Sequence, residues 1–145
     1  MAMTIHLIKL VVGAEDMPHF LEIQRRYEIP YDGSRAIPVR TRFKPKRDTE
    51  VLTGGSLYRV IKNRIQCRQE ILGFEEIEDK DKGTQCLIMV SPVIIKTVST
   101  PFRPFQGWRY LDPAKAPADR GEYKGAENDD IPPEMEAELK NLGLI

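Results

Sequence analysis

The sequence is poor in the residues that most often build reactive or metal-bound sites. Its 145 residues hold two histidines, two cysteines and one tryptophan. His6 and His19 stand far apart, and neither has a second ligand at metal spacing. Cys67 and Cys86 do not form a Cys-x-x-Cys pair, so local motifs build no zinc site. Two cysteines are also too few for a disulfide framework, and both are expected to be reduced thiols. No Ser–His–Asp or Cys–His arrangement follows from spacing, so no catalytic residue is assigned and an enzyme is the less favoured class. Apolar runs are short, as at Leu10–Val12 and Leu87–Val90, well below the roughly 20 residues that span a bilayer. The N-terminus lacks a basic, then apolar, then small-residue order, so no signal peptide is read. These absences lead to the expectation of a cytoplasmic protein with no membrane, metal or cofactor.

Net charge is absent too: 22 Lys and Arg balance 22 Asp and Glu. The balance hides a strong segregation. Residues 35–70 carry ten basic side chains (Arg35, Arg40, Arg42, Lys44, Lys46, Arg47, Arg59, Lys62, Arg64, Arg68) against three acidic ones (Asp48, Glu50, Glu70), net +7. Residues 126–145 carry one basic and six acidic side chains, net −5. A neutral total therefore does not exclude a polyanion partner, because charge acts locally.

Length and a hydrophobic fraction of 41% fit one globular domain. Thr4–Val12 reads as a strand apolar on both sides, hence central. Asp16–Tyr27 reads as a helix with Asp16 as N-cap and Pro18 in the first turn. Its inner face is Met17, Phe20, Leu21, Gln24 and Tyr27. Pro30 to Ser34 reads as a loop, Val39–Phe43 as a short strand and Lys46–Leu52 as a short helix stopped by Gly54-Gly55. Leu57–Leu72 is compatible with a helix, since Leu57, Ile61, Ile65 and Leu72 are roughly in phase. A β-hairpin turning at Lys62-Asn63 is preferred, because Asn tolerates the left-handed backbone such a turn needs. That turn sets Val60 against Ile65 and Tyr58 against Cys67 as an apolar face. Arg59, Ile61, Arg64, Gln66 and Arg68 then lie on the opposite, basic face. Glu75–Lys82 reads as a charged turn, and Gln85–Val90 and Val93–Val98 as strands. The domain is expected to span residues 1–111, followed by a linker over 112–130 and an acidic C-terminal helix over 131–145. The fold class expected is α+β: a small, mostly antiparallel, curled sheet or pseudo-barrel with one N-terminal helix and a tail helix.

Several strings occur together: Ile5–Gly13, Pro45-Lys46-Arg47, Gly54–Tyr58 with Val60–Lys62, Ile65–Gln69 and Phe105–Leu111. In these the chain resembles an alphaproteobacterial family catalogued as domain of unknown function 1489. The resemblance covers nearly the whole chain and implies no activity. The region from Tyr27 to Ile37 is shorter than the family pattern. Arg59 stands where that pattern has Trp, and Asn63 where it has Gly. The order strand, helix, basic Arg-x-x-Pro-Lys region, Gly-Gly, hairpin, further strands is also similar to the pseudo-barrels of the PUA and ASCH superfamily. That similarity implies binding of RNA or modified bases.

Two constellations carry the functional expectation. Arg40, Arg42, Lys44, Lys46 and Arg47, with Arg59, Arg64 and Arg68 on the hairpin, form a candidate phosphate-tracking surface, and Gln66 adds a base contact. The plainer reading is a solvated basic face paired with the acidic ends. In Phe102–Tyr110, Arg103 and Arg109 alternate with aromatics as a candidate stacking wall. There the plainer reading is a closing strand filled by Phe105 and Trp108. Gly54-Gly55-Ser56 lacks P-loop spacing and reads as a turn. The function expected is RNA binding, with RNA or another polyanion as partner. The alternatives are an assembly factor docking an acidic protein, and a hydrolase of a nucleotide or modified base. The sequence fixes no oligomeric state.

Overall fold

The computed structural model describes residues 4–125. Strand β1 (His6–Leu10) leads through a left-handed Gly13 to helix α1 (Met17–Tyr27). A hairpin of β2 (Ile29–Tyr31) and β3 (Ser34–Thr41) follows, then a single helical turn, α2 (Asp48–Val51). The chain continues as β4 (Ser56–Ile61), the 16-residue β5 (Arg64–Asp79), β6 (Gly83–Val90) and β7 (Ile94–Pro101). β8 (Trp108–Leu111), a 3-10 turn at Pro113–Lys115 and β9 (Asp119–Tyr123) complete it.

The strands make an open, curled, mixed sheet in the order β2-β3-β6-β5-β4-β1-β8, with β7 paired to β5 and β9 to β7. β1 and β4 are parallel, and the other seven pairings among the described residues are antiparallel. β6 and β7 follow one another along β5. β6 pairs with Ile71–Asp79 and β7 with Arg64–Arg68, and the break at Ser91–Val93 lies between them. β1 is central, held between β4 and β8, as its two apolar sides predict.

Local chemistry explains the main joints. The Asp16 carboxylate accepts the His19 N–H at 2.9 Å and caps α1, whose buried face is Met17, Phe20 and Gln24. Lys62 and Asn63 both adopt positive φ, 52° and 63°, which makes the two-residue turn between β4 and β5. Gly55 allows backbone to approach backbone: a Cβ there would lie 2.2 Å from the Val51 carbonyl oxygen and 2.5 Å from that of Ile5. The main core packs Ile5, Leu7, Ile37, Val51, Leu57, Ile71, Ile88 and Val90. A second cluster joins α1 to the sheet through Met17, Phe20, Ile61, Cys67, Ile94 and Tyr123. A third, on the other side, is Ile8, Tyr58, Val60, Ile65 and Leu111.

Four expectations need correction. The hairpin register holds at Val60–Ile65, but a bulge then sets Arg59 opposite Cys67 and Tyr58 opposite Arg68. Residues 75–79 are strand, not turn, because β5 runs on to Asp79 and its turn is confined to residues 80–82. Residues 29–34 form the β2–β3 hairpin, turning at Asp32 and Gly33 with φ of 47° and 77°. The stretch expected to be linker carries β9, which pairs with β7 through Ile94–Tyr123, Ile95–Glu122, Lys96–Gly121 and Thr97–Asp119. Residues 126–130 of that linker and the acidic C-terminal helix lie outside the described residues. No helix among the described residues is long and apolar enough to cross a membrane.

Candidate nucleic-acid interface

The connection from β3 to α2 carries Arg42, Phe43, Lys44, Lys46 and Arg47, and β8 holds it in place. The Trp108 indole N–H donates to the Phe43 carbonyl at 2.7 Å, and the Arg47 backbone N–H donates to the Tyr110 hydroxyl at 3.1 Å. Trp108 and Tyr110 meet edge to face at 4.9 Å. The Arg47 guanidinium lies 5.4 Å from the Tyr110 ring, and Arg42 lies 5.3 Å from the ring of Phe43. Phe43 is 65% exposed and Tyr110 37%. The basic loop therefore sits against aromatic faces open to solvent. Two cations have local partners: Lys44 pairs with Asp48 at 3.1 Å, and Arg47 pairs with Glu50. Both pairs are exposed and screened by solvent, so they hold the two cations only weakly. On the other side of β8, Arg109 stacks on Phe105 at 4.7 Å, next to exposed Arg103.

The remaining expected contacts do not join this surface. Arg40 pairs with Asp79 at 3.0 Å. Arg64 donates to the hydroxyl and carbonyl of Ser99. Gln66 donates to the Ile61 carbonyl at 2.7 Å, which closes the hairpin on itself. Arg68 grips the Asp119 carboxylate with two bonds, at 2.7 and 2.6 Å, and donates to the Ser56 hydroxyl at 2.9 Å. The hairpin is therefore not an exposed basic face. Its arginines are spent on neighbours because both sides of β4 and β5 are covered.

Arg59 departs furthest from expectation. It is only 6% exposed, its guanidinium lies 5.5 Å from the Phe20 ring, and its Nε is buried without a hydrogen-bond partner. Burial lowers its pKa to about 10. Removing an unpaired ion from water costs several kcal/mol. A cation–π contact returns about 0.5–2 kcal/mol. The ring contact therefore does not offset the burial. Lys9, its register partner on β1, is half-buried; burial lowers its pKa first, and the Arg59 charge lowers it further. Both line a cleft of about 260 Å³ with Phe20, Gln24, Tyr27 and Gln69. Lys9 and Gln69 escape sequence reasoning, which reads Gln24 only as part of the inner face of α1. The available signal was one lysine inside a strand whose two sides are otherwise apolar.

On the opposite side of the sheet a second concavity, about 340 Å³, is lined by His6, Ser56, Tyr58, Arg68 and Asp119. His6 Nδ1 accepts the Ser56 backbone N–H at 3.0 Å, and the ring meets Tyr58 edge-on at 5.1 Å. Burial, and secondly Arg68, lowers the His6 pKa, which favours the neutral ring. Tyr58 shares this pocket with the Asp119 carboxylate, which Arg68 already holds. Catalysis by these groups gains no support from their geometry. Both cysteines are buried and outside any disulfide, and no group of three or more His, Cys, Asp or Glu among the described residues is placed to hold a metal.

A family model described as "Protein of unknown function (DUF1489)" matches residues 7–145. No curated protein and no solved structure matches the chain.

Proposed function

The chain belongs to the DUF1489 family, whose description carries no activity, and we propose that its function is to bind single-stranded RNA through the β3–α2 loop and β8. One observation carries this reading: Trp108 and Tyr110 fasten a loop bearing Arg42, Lys44, Lys46 and Arg47 beside the exposed rings of Phe43 and Tyr110. Cations that track phosphates, interleaved with aromatics on which unpaired bases stack, are what single strands require. Arg103 and Arg109 extend the positive surface past β8. We read the curled sheet as a pseudo-barrel of the PUA and ASCH kind. The support is its order of strand, helix, basic loop and hairpin, and those domains commonly bind RNA.

A gel-shift titration with single-stranded RNA tests the reading. A complex of low-micromolar affinity or tighter is expected at about 50 mM salt, weakening steeply as salt rises. Replacing Arg42 and Lys46 together by Ala should reduce the salt slope by about 1.4, from two lost phosphate contacts on a single strand. Phe43→Ala should weaken binding with little change in slope, by roughly 1–3 kcal/mol for one lost stack. Absence of a salt-sensitive complex in the wild-type chain overturns the proposal.

A further inference from the structure

Arg59 and Lys9 form a cationic floor without an anion. They are neighbours across β1 and β4 on one side of the sheet, and Trp108 is the neighbour of Lys9 on β8. Among the described residues no carboxylate lines their cleft, and neither side chain has an ion pair there. Arg40, at the rim, is already taken by Asp79. The floor also holds an unused acceptor. Gln69 donates to Ser91 and to Gln24, Gln24 donates to Pro92, and the Gln69 Oε1 is left buried and unpartnered. Both amide groups are fixed by backbone carbonyls, so a flip does not relieve that oxygen.

A partner that satisfies these groups is an anion that also offers a donor. A carboxylate supplies one charge and no donor. A phosphate monoester offers several oxygens to a guanidinium fork and an ammonium, and as its monoanion it keeps one P–OH to donate to Gln69 Oε1; as its dianion it carries a second charge for the two cations instead. The cleft, at about 260 Å³, falls below the roughly 300–1,000 Å³ that suits a drug-sized molecule, so it admits a compact head group. Phe20 and Tyr27 supply its apolar wall.

We propose that the cleft between α1 and the β1–β4–β5 face is a binding site for a phosphate monoester, held by Arg59 and Lys9 and hydrogen-bonded to Gln69 Oε1. The monoester belongs either to a small molecule or to the terminal phosphate of a nucleic-acid strand. Calorimetric titration of the full chain with inorganic phosphate and methyl phosphate, alongside thermal melts, tests the site. Saturable binding and a rise in Tm are expected. Arg59→Met should weaken binding about tenfold or more, as for loss of a charge-assisted contact. Lys9→Gln, a milder change, should weaken binding without unfolding the chain. Lys80→Ala, in the exposed turn between β5 and β6, should leave it unchanged. No saturable phosphate binding by the wild type, or binding indifferent to both cleft variants, overturns the proposal.

A paired titration with 5′-phosphorylated and 5′-hydroxyl RNA identifies the source. An advantage of the phosphorylated strand that Arg59→Met removes assigns the site to a strand end. Equal binding of the two strands, with phosphate still bound, assigns it to a small molecule. Phosphate binding without any RNA binding upholds this site and rejects the RNA surface.

Discussion

Arg59 shows how burial decides the meaning of a charged residue. Replacing a buried, unpaired ion by a well-packed hydrophobic side chain is often stabilising, by about 1–4 kcal/mol. Arg59→Met is therefore expected to raise the stability of the anion-free protein by that order in a urea melt. Lower stability in that variant would mean that the Phe20 contact outweighs the cost of burying the charge. The direction of the pKa agrees: the folded value, about 10, lies below the ordinary arginine range, so the destabilisation is in force below pH 10 and eases as pH climbs from there. Sequence patterning placed Arg59 outside because it alternates with Tyr58 and Val60. The alternation is real, but both sides of β4 are buried, so position along a strand does not reveal exposure. Asp16, Pro18 and the Lys62-Asn63 turn were legible because their chemistry is local.

At the scale of elements, sequence reasoning missed β2, the far end of β5 and β9, and β9 is the most instructive of these. Asp119–Tyr123 includes Gly121 and only one buried side chain, Tyr123, so it has no apolar period to detect. It is fixed by the edge of β7 and by the grip of Arg68 on Asp119. That pair holds the Asp119 carboxyl below its ordinary range, chiefly by the hydrogen bond from Arg68. A lowered carboxylate pKa contributes stability above the unfolded value and loses it as pH falls through the folded one. Asp119→Asn is expected to cost about 0.5–1 kcal/mol at neutral pH, the pair being partly exposed. It should also flatten the loss of stability on acidification. Thermal melts between neutral and strongly acid pH check this, and an acid limb identical to wild type would show that the pair does not hold β9. The bulge between Arg59 and Val60 was hidden for a different reason, since a single extra residue on β5 leaves no compositional trace.

For the whole molecule, the neutral total resolves into local terms. The +7 counted over residues 35–70 does not become one patch. Arg59 is buried, Arg40 and Arg68 are paired, and Arg42 to Arg47 remain at the surface with their backs to β8. The −5 of residues 126–145 is a natural competitor for that remaining surface. Deleting residues 126–145 should raise RNA affinity in the gel-shift titration, with a larger gain at low salt, where charges are least screened. Unchanged or weaker binding would remove the tail from any role at the surface.

The position of β1 has a consequence for how the chain is made. Residues 6–10 leave the ribosome before both of their pairing partners, residues 57–60 and 108–111. Until β4 is made this apolar strand has two open edges, and the second is closed only when β8 follows, near the end of the described residues. Pairings so distant in sequence make folding slow and expose strand edges to other chains. The first strand of this sheet to be made is thus among the last to be completed. A nascent chain stalled before β8 emerges would present β1 as an unfinished sheet.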